Sequence, residues 1–137
     1  MNRREANRVL RKVLAYCPSQ SVDEYTPDAW VEALDDVDAA DALDAVARIG
    51  RRELEPGQSR YIEPGHIRAE VRRIRADRLA RHEIPAPPAS LPPAEYLRAL
   101  REATEAIASG HLEPEPMPTS IEGQRRVRAL IDRKETA

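Results

Sequence analysis

Residues 62–83 read IEPGHIRAEVRRIRADRLARHE. Ile67, Val71 and Ile74 stand at steps of four and three, the spacing that places side chains on one face of an α-helix. Arg68, Arg72 and Arg75 repeat those steps one residue later, so a basic stripe adjoins the apolar one. Arg78 extends the apolar row, and Arg81 follows it by three. Pro64 suits the first helical position, where a missing N–H is no loss. The stretch predicts a helix with one buried stripe and basic flanks. Its arginines leave three readings open. They are the charged flanks of an ordinary surface helix, partly paired with Glu70 and Asp77; a phosphate-contacting surface; or a docking face for an acidic protein. No Asn, Gln, Ser or Thr stands beside them to read base edges, which disfavours base-specific recognition.

Working back toward the N-terminus, the same periodicity predicts three more helices. Val9, Leu10, Val13 and Leu14 make an apolar stripe over residues 3–15, which Pro18 and the polar run after it end. Thr26 is the expected N-cap of a second helix, with Pro27 at its first position and Asp28 at its positive end. Trp30 and Leu34 share its inner face, and Trp30 is read as core. A third helix is expected over residues 39–54, capped by Asp38, with Gly50 a weak point or an early end. Ala39, Ala42, Leu43, Ala45, Val46 and Ile49 give it a close-packing face. The EPGQS loop at residues 55–59 follows, then a short extended stretch where the Tyr61 ring is expected to be half-buried.

Working forward, residues 84–96 read IPAPPASLPPAEY and hold five prolines. This stretch cannot continue a helix and reads as a semi-rigid extended linker. It divides the chain into a helical domain at residues 1–83, a linker at 84–93 and a tail at 94–137. In the tail, Leu97, Leu100, Thr104 and Ile107 lie on one face of a helix over residues 93–109, which Gly110 stops. A last amphipathic stretch carries Ile121, Val127, Leu130 and Ile131. Neither tail helix has enough apolar surface to stand alone, so each is expected to dock on the body, a twin chain or a partner. The fold class is all-α: a bundle of about four helices, a proline-rich linker, and one or two C-terminal helices.

Composition agrees. The 137 residues contain no Phe and one Trp, so the core must come from Leu, Ile, Val and Ala. The net charge of −2 conceals strong segregation. Residues 1–12 carry five basic side chains and one acid, residues 13–47 carry nine acids and no Lys or Arg, and residues 48–82 carry ten Arg against five acids. Such asymmetry implies either internal pairing of opposite faces or separate interaction surfaces. Cys17 is alone, which excludes an internal disulfide. No apolar run reaches the length of a membrane span and no signal-peptide pattern opens the chain, so the expected compartment is the cytoplasm.

Catalytic chemistry finds little footing. His66, His82 and His111 are scattered, no CxxC is present, and the five glycines form no phosphate loop. A solvated surface explains the carboxylates better than an acid/base pair. No enzyme, no metal and no cofactor is expected. Binding remains.

The order of features resembles a known family. A Trp in TPDAWVEALDDV is followed by the Ala-rich DAADALDAVARIG, then by RYIEPGHIR and the arginine-rich helix. Over residues 1–82 this resembles the N-terminal helical domain of the phage replicative-helicase loader/inhibitor family, and related small replication proteins of actinobacterial phages. The residues that carry the resemblance are Trp30, Leu34, Ala42, Ala45, Tyr61, Pro64 and Ile67. It implies a compact helical domain, a C-terminal region that contacts a hexameric replicative helicase, and delivery of that helicase to single-stranded DNA coated by an origin or single-strand-binding protein, without nucleotide hydrolysis. The tail departs from the family in having two organised helical segments.

Two functions are therefore expected in competition. One is a non-enzymatic replication adaptor docking through Leu97, Leu100, Ile107, Val127, Leu130 and Ile131. The other is a small DNA-binding protein using Arg68, Arg72, Arg75, Arg78 and Arg81 on phosphates.

Overall fold

A computed structural model describes residues 1–111. The last amphipathic stretch, with Val127, Leu130 and Ile131, lies outside them. The described residues form five α-helices and no strand: α1 Arg3–Tyr16, α2 Thr26–Ala33, α3 Ala39–Gly50, α4 Pro64–Arg81 and α5 Pro93–Ala108. The all-α class expected from periodicity is the class observed.

The chain divides into two compact units, Met1–Ala76 and the residues from Asp77 onward. The division falls inside α4, ahead of the proline-rich stretch where sequence places it.

The first unit is built on α1, which packs against both α2 and α3. Asn2 opens α1 with a capping box: its side chain accepts from the Glu5 N–H, and Glu5 Oε2 accepts from the Asn2 N–H. Ala6, Val9, Leu10 and Val13 form its buried stripe, while Leu14 is only half-buried. From α3, Ala42, Ala45 and Val46 are fully enclosed, small enough to let helix backbones approach. Cys17, Trp30, Leu34, Val37, Ile62, Ile67, Val71 and Ile74 complete the same core.

Helix starts follow the sequence closely. Asp38 caps α3 by accepting from the Ala40 N–H at 2.8 Å. Pro64 is the first residue of α4. There His66 Nδ1 accepts from the Glu63 N–H at 3.0 Å, the role a Glu or Gln plays in a capping box.

Three expectations are corrected. Thr26 is not the cap of α2 but its first residue. Asp23 Oδ1 accepts from the Tyr25 and Thr26 N–H groups and from the Thr26 hydroxyl, so the capping carboxylate lies three residues earlier. Next, α3 does not reach Leu54, which is 44% exposed, and takes the early end that Gly50 offers. Finally, the Tyr61 ring is 57% exposed, and its neighbour Ile62 is the buried residue.

The second unit holds the end of α4 and α5. Arg78 Nη1 donates to the Ala108 carbonyl at 2.9 Å. α5 ends in a Schellman arrangement: the His111 N–H bonds the Ala106 carbonyl, the Gly110 N–H bonds the Ile107 carbonyl, and Gly110 has φ +75. Gly110 thus stops α5 as its sequence position implies.

Candidate functional site

The five arginines singled out on α4 are not equivalent. Arg68 Nη1 donates to Asp36 Oδ1 at 2.5 Å, with the Asp35 carboxylate 3.9 Å from its other nitrogen. Arg75 and Arg78 are half-buried and engaged, Arg78 with the Ala108 carbonyl. Arg72 and Arg81 are exposed and have no hydrogen-bond or ion-pair partner among the described residues. The internal pairing implied by the segregated charges is therefore real in part. Each exposed pair contributes little, about 0–1 kcal/mol.

Next to this row, Glu70 is nearly inaccessible, at 5% exposure. It accepts from Arg73 Nη1 at 3.1 Å and is also paired with Arg52. Such partners offset the cost of taking a carboxylate out of water. The trio borders a groove of about 410 Å³, lined on its apolar side by Ile49, Leu54, Tyr61 and Ala69.

The tail residues also separate. Leu97 is 51% exposed, Leu100 is half-buried, and Ile107 is 1% exposed. Ile107 is thus enclosed within the protein and is not part of a free apolar surface. Val127, Leu130 and Ile131 fall outside the described residues.

A further basic surface lies on α1. Arg4, Asn7, Arg8 and Arg11 follow helical steps along α1, and with Arg3 they line one surface depression. Arg3 is held at its edge, donating to Asp28 Oδ2 at 2.8 Å. Arg4, Arg8 and Arg11 are exposed and have no partner among the described residues. The signal was present in the excess of basic residues at positions 1–12. It lacked only the knowledge that Ala6, Val9, Leu10 and Val13 face inward, which turns the arginines outward.

Two titratable groups depart from their ordinary behaviour. Burial pushes the Cys17 thiol up, against smaller opposing effects from Arg60 and the Ile62 backbone. An enclosed thiol held in its neutral form is a poor nucleophile. Hydrogen bonds from the Thr26 side chain and backbone, and from the Tyr25 backbone, hold the Asp23 carboxyl below its usual range. A lowered folded-state pKa stabilises the fold above the ordinary carboxylate range and is lost as pH falls through the folded value. Acid therefore loosens the start of α2.

Among the described residues no group of three or more His, Cys, Asp or Glu is placed to hold a metal ion, and no helix is long and apolar enough to cross a membrane. No protein-family model, curated protein or solved structure matches the chain.

Proposed function

We propose that the chain is a non-enzymatic replication adaptor of the helicase-loader kind. Its first unit is a rigid helical body. The segment after the proline-rich stretch engages a hexameric replicative helicase and helps bring it to single-stranded DNA. The observation that carries this reading is Leu97, a large apolar side chain left 51% exposed on the first turns of α5. An exposed leucine beside a half-buried Leu100 is the kind of apolar step a partner helix or groove covers. The family resemblance adds weight through the residues that carry it, Trp30, Leu34, Ala42, Ala45, Tyr61, Pro64 and Ile67.

The test is direct binding of the full chain to the purified replicative helicase of its host, with Leu97→Glu as the variant. The substitution touches an exposed residue, so the fold should survive with an unchanged circular dichroism melt. Binding should weaken at least about tenfold, the effect of placing a charge in an apolar contact, about 1.4 kcal/mol or more. Wild-type affinity in the variant, or no helicase binding by the full chain, removes the reading.

The DNA-binding alternative retains one favourable observation. Arg72 and Arg81 are exposed and unengaged among the described residues, although Arg68, Arg75 and Arg78 are occupied.

A further inference from the structure

We infer that the outward face of α1, formed by Arg4, Arg8 and Arg11 with Asn7 among them, binds the phosphate backbone of a nucleic-acid duplex. The inference is independent of the tail and of its proposed helicase contact.

Ala6, Val9, Leu10 and Val13 are buried, so the helix has one inner face and a fixed rotation about its axis. Arg4, Arg8 and Arg11 then fall on the outer face at steps of four and three. Glu5, the acid of this segment, is turned back into the capping box, where it accepts from the Asn2 N–H at 2.8 Å. Arg3 is paired with Asp28. Three guanidinium groups are left, all exposed and none engaged among the described residues. On α4, by contrast, Arg68 is paired with Asp36 and Arg73 with Glu70, and Arg72 and Arg81 are the exposed arginines left unengaged among the described residues.

The chemistry of the face selects its ligand. Guanidinium groups match phosphate oxygens in a bidentate fork and are less strongly hydrated than ammonium. From Arg4 to Arg11 the helix rises about 10 Å at 1.5 Å per residue, enough to touch several phosphates of one backbone. Asn7 adds an amide that can bond a phosphate or sugar oxygen. A membrane surface is disfavoured because an interfacial helix lays its apolar face in the lipid, and that of α1 is already in the core. A protein partner is disfavoured because the face offers no aromatic or aliphatic anchor, the feature that carries protein interfaces. Single strands are held largely by aromatic stacking, and no aromatic residue lines this depression. A duplex backbone asks for none of these.

The experiment is a fluorescence-anisotropy titration of the full chain against a labelled 20-base-pair duplex, at 50 and 200 mM salt. Three phosphate contacts predict a slope of log affinity on log salt near −2.7, a loss of about 40-fold across that range. Arg4→Gln with Arg8→Gln and Arg11→Gln should remove most binding at 50 mM salt with an unchanged melt. Arg8→Glu alone should weaken binding about tenfold, and Arg8→Lys should keep most of it. Arg72→Gln with Arg81→Gln on α4 should stay within about threefold of wild type. The inference is overturned by any of three results: wild-type duplex affinity in the triple α1 variant, tighter binding of the corresponding single strand, or absence of duplex binding at 50 mM salt with 100 µM protein. If the α4 pair loses binding and the α1 variant does not, the phosphate surface is α4.

Discussion

Gln20 lies 42 positions from Ile62, yet its side-chain amide bonds both backbone groups of that residue. Nε2 donates to the Ile62 carbonyl at 2.8 Å, and Oε1 accepts from the Ile62 N–H at 3.0 Å. The side chain does for an extended segment what a neighbouring strand would do. Ile62 is fully enclosed, so its backbone groups need such a partner. Gln20→Ala should cost about 1–3 kcal/mol in denaturant unfolding, the range for leaving buried polar groups unmade. Gln20→Glu should do no better, because it keeps an acceptor for the N–H but sets a carboxylate against the carbonyl. A glutamate variant as stable as wild type would show that the two-pronged pairing adds nothing. No sequence pattern announces this contact: a polar residue in a loop meets a residue that reads only as the approach to α4.

At the scale of elements, Gly50 shows where local reading stops. Sequence marks it as either a weak point in a helix running on to residue 54 or an early end. In the structure it is the last residue of α3, and its backbone is not left-handed. Its role is spatial. A Cβ there would lie 2.4–2.6 Å from the Tyr16 ring of α1, far inside contact distance. Alanine favours helix over glycine by about 1 kcal/mol, so propensity alone predicts that Gly50→Ala stabilises. Overpacking costs about 1–3 kcal/mol and should win. Gly50→Ala is therefore expected to lower the melting temperature, and less so in a Tyr16→Ala background; equal effects in both backgrounds would deny the contact. Periodicity, caps and breakers made most helix ends legible, including the starts at Asp38 and Pro64 and the stop at Gly110. They failed at Thr26 because its hydroxyl and the Asp23 carboxylate are equally plausible caps by type. Only the fold shows that Asp23 reaches the helix start.

At the scale of the whole molecule, the two units differ in how much they enclose. α1 buries Ala6, Val9, Leu10 and Val13 of its 14 residues, whereas α5 buries only Ile107 and Ala108 of its 16. The sequence made this contrast visible, since it gave the tail too little apolar surface to stand alone. It did not show that Ile107 is enclosed while Leu97 stays out, because a stripe at helical spacing does not say which of its members finds a neighbour. Local opening is governed by buried apolar contact. Amides at the centre of α1 should therefore exchange with solvent only on opening of the first unit. Those of α5 should exchange through smaller openings at least about tenfold more often, a difference of about 1.4 kcal/mol or more. Native-state hydrogen exchange on the full chain reads this directly. Equal protection in the two helices would mean that α5 opens only together with α1. A saturating helicase, if Leu97 is its anchor, should slow exchange in α5 and leave α1 unchanged. A nucleic-acid duplex bound at Arg4, Arg8 and Arg11 should leave α5 unchanged. The same measurement thus separates the two proposed surfaces by where each ligand changes exchange.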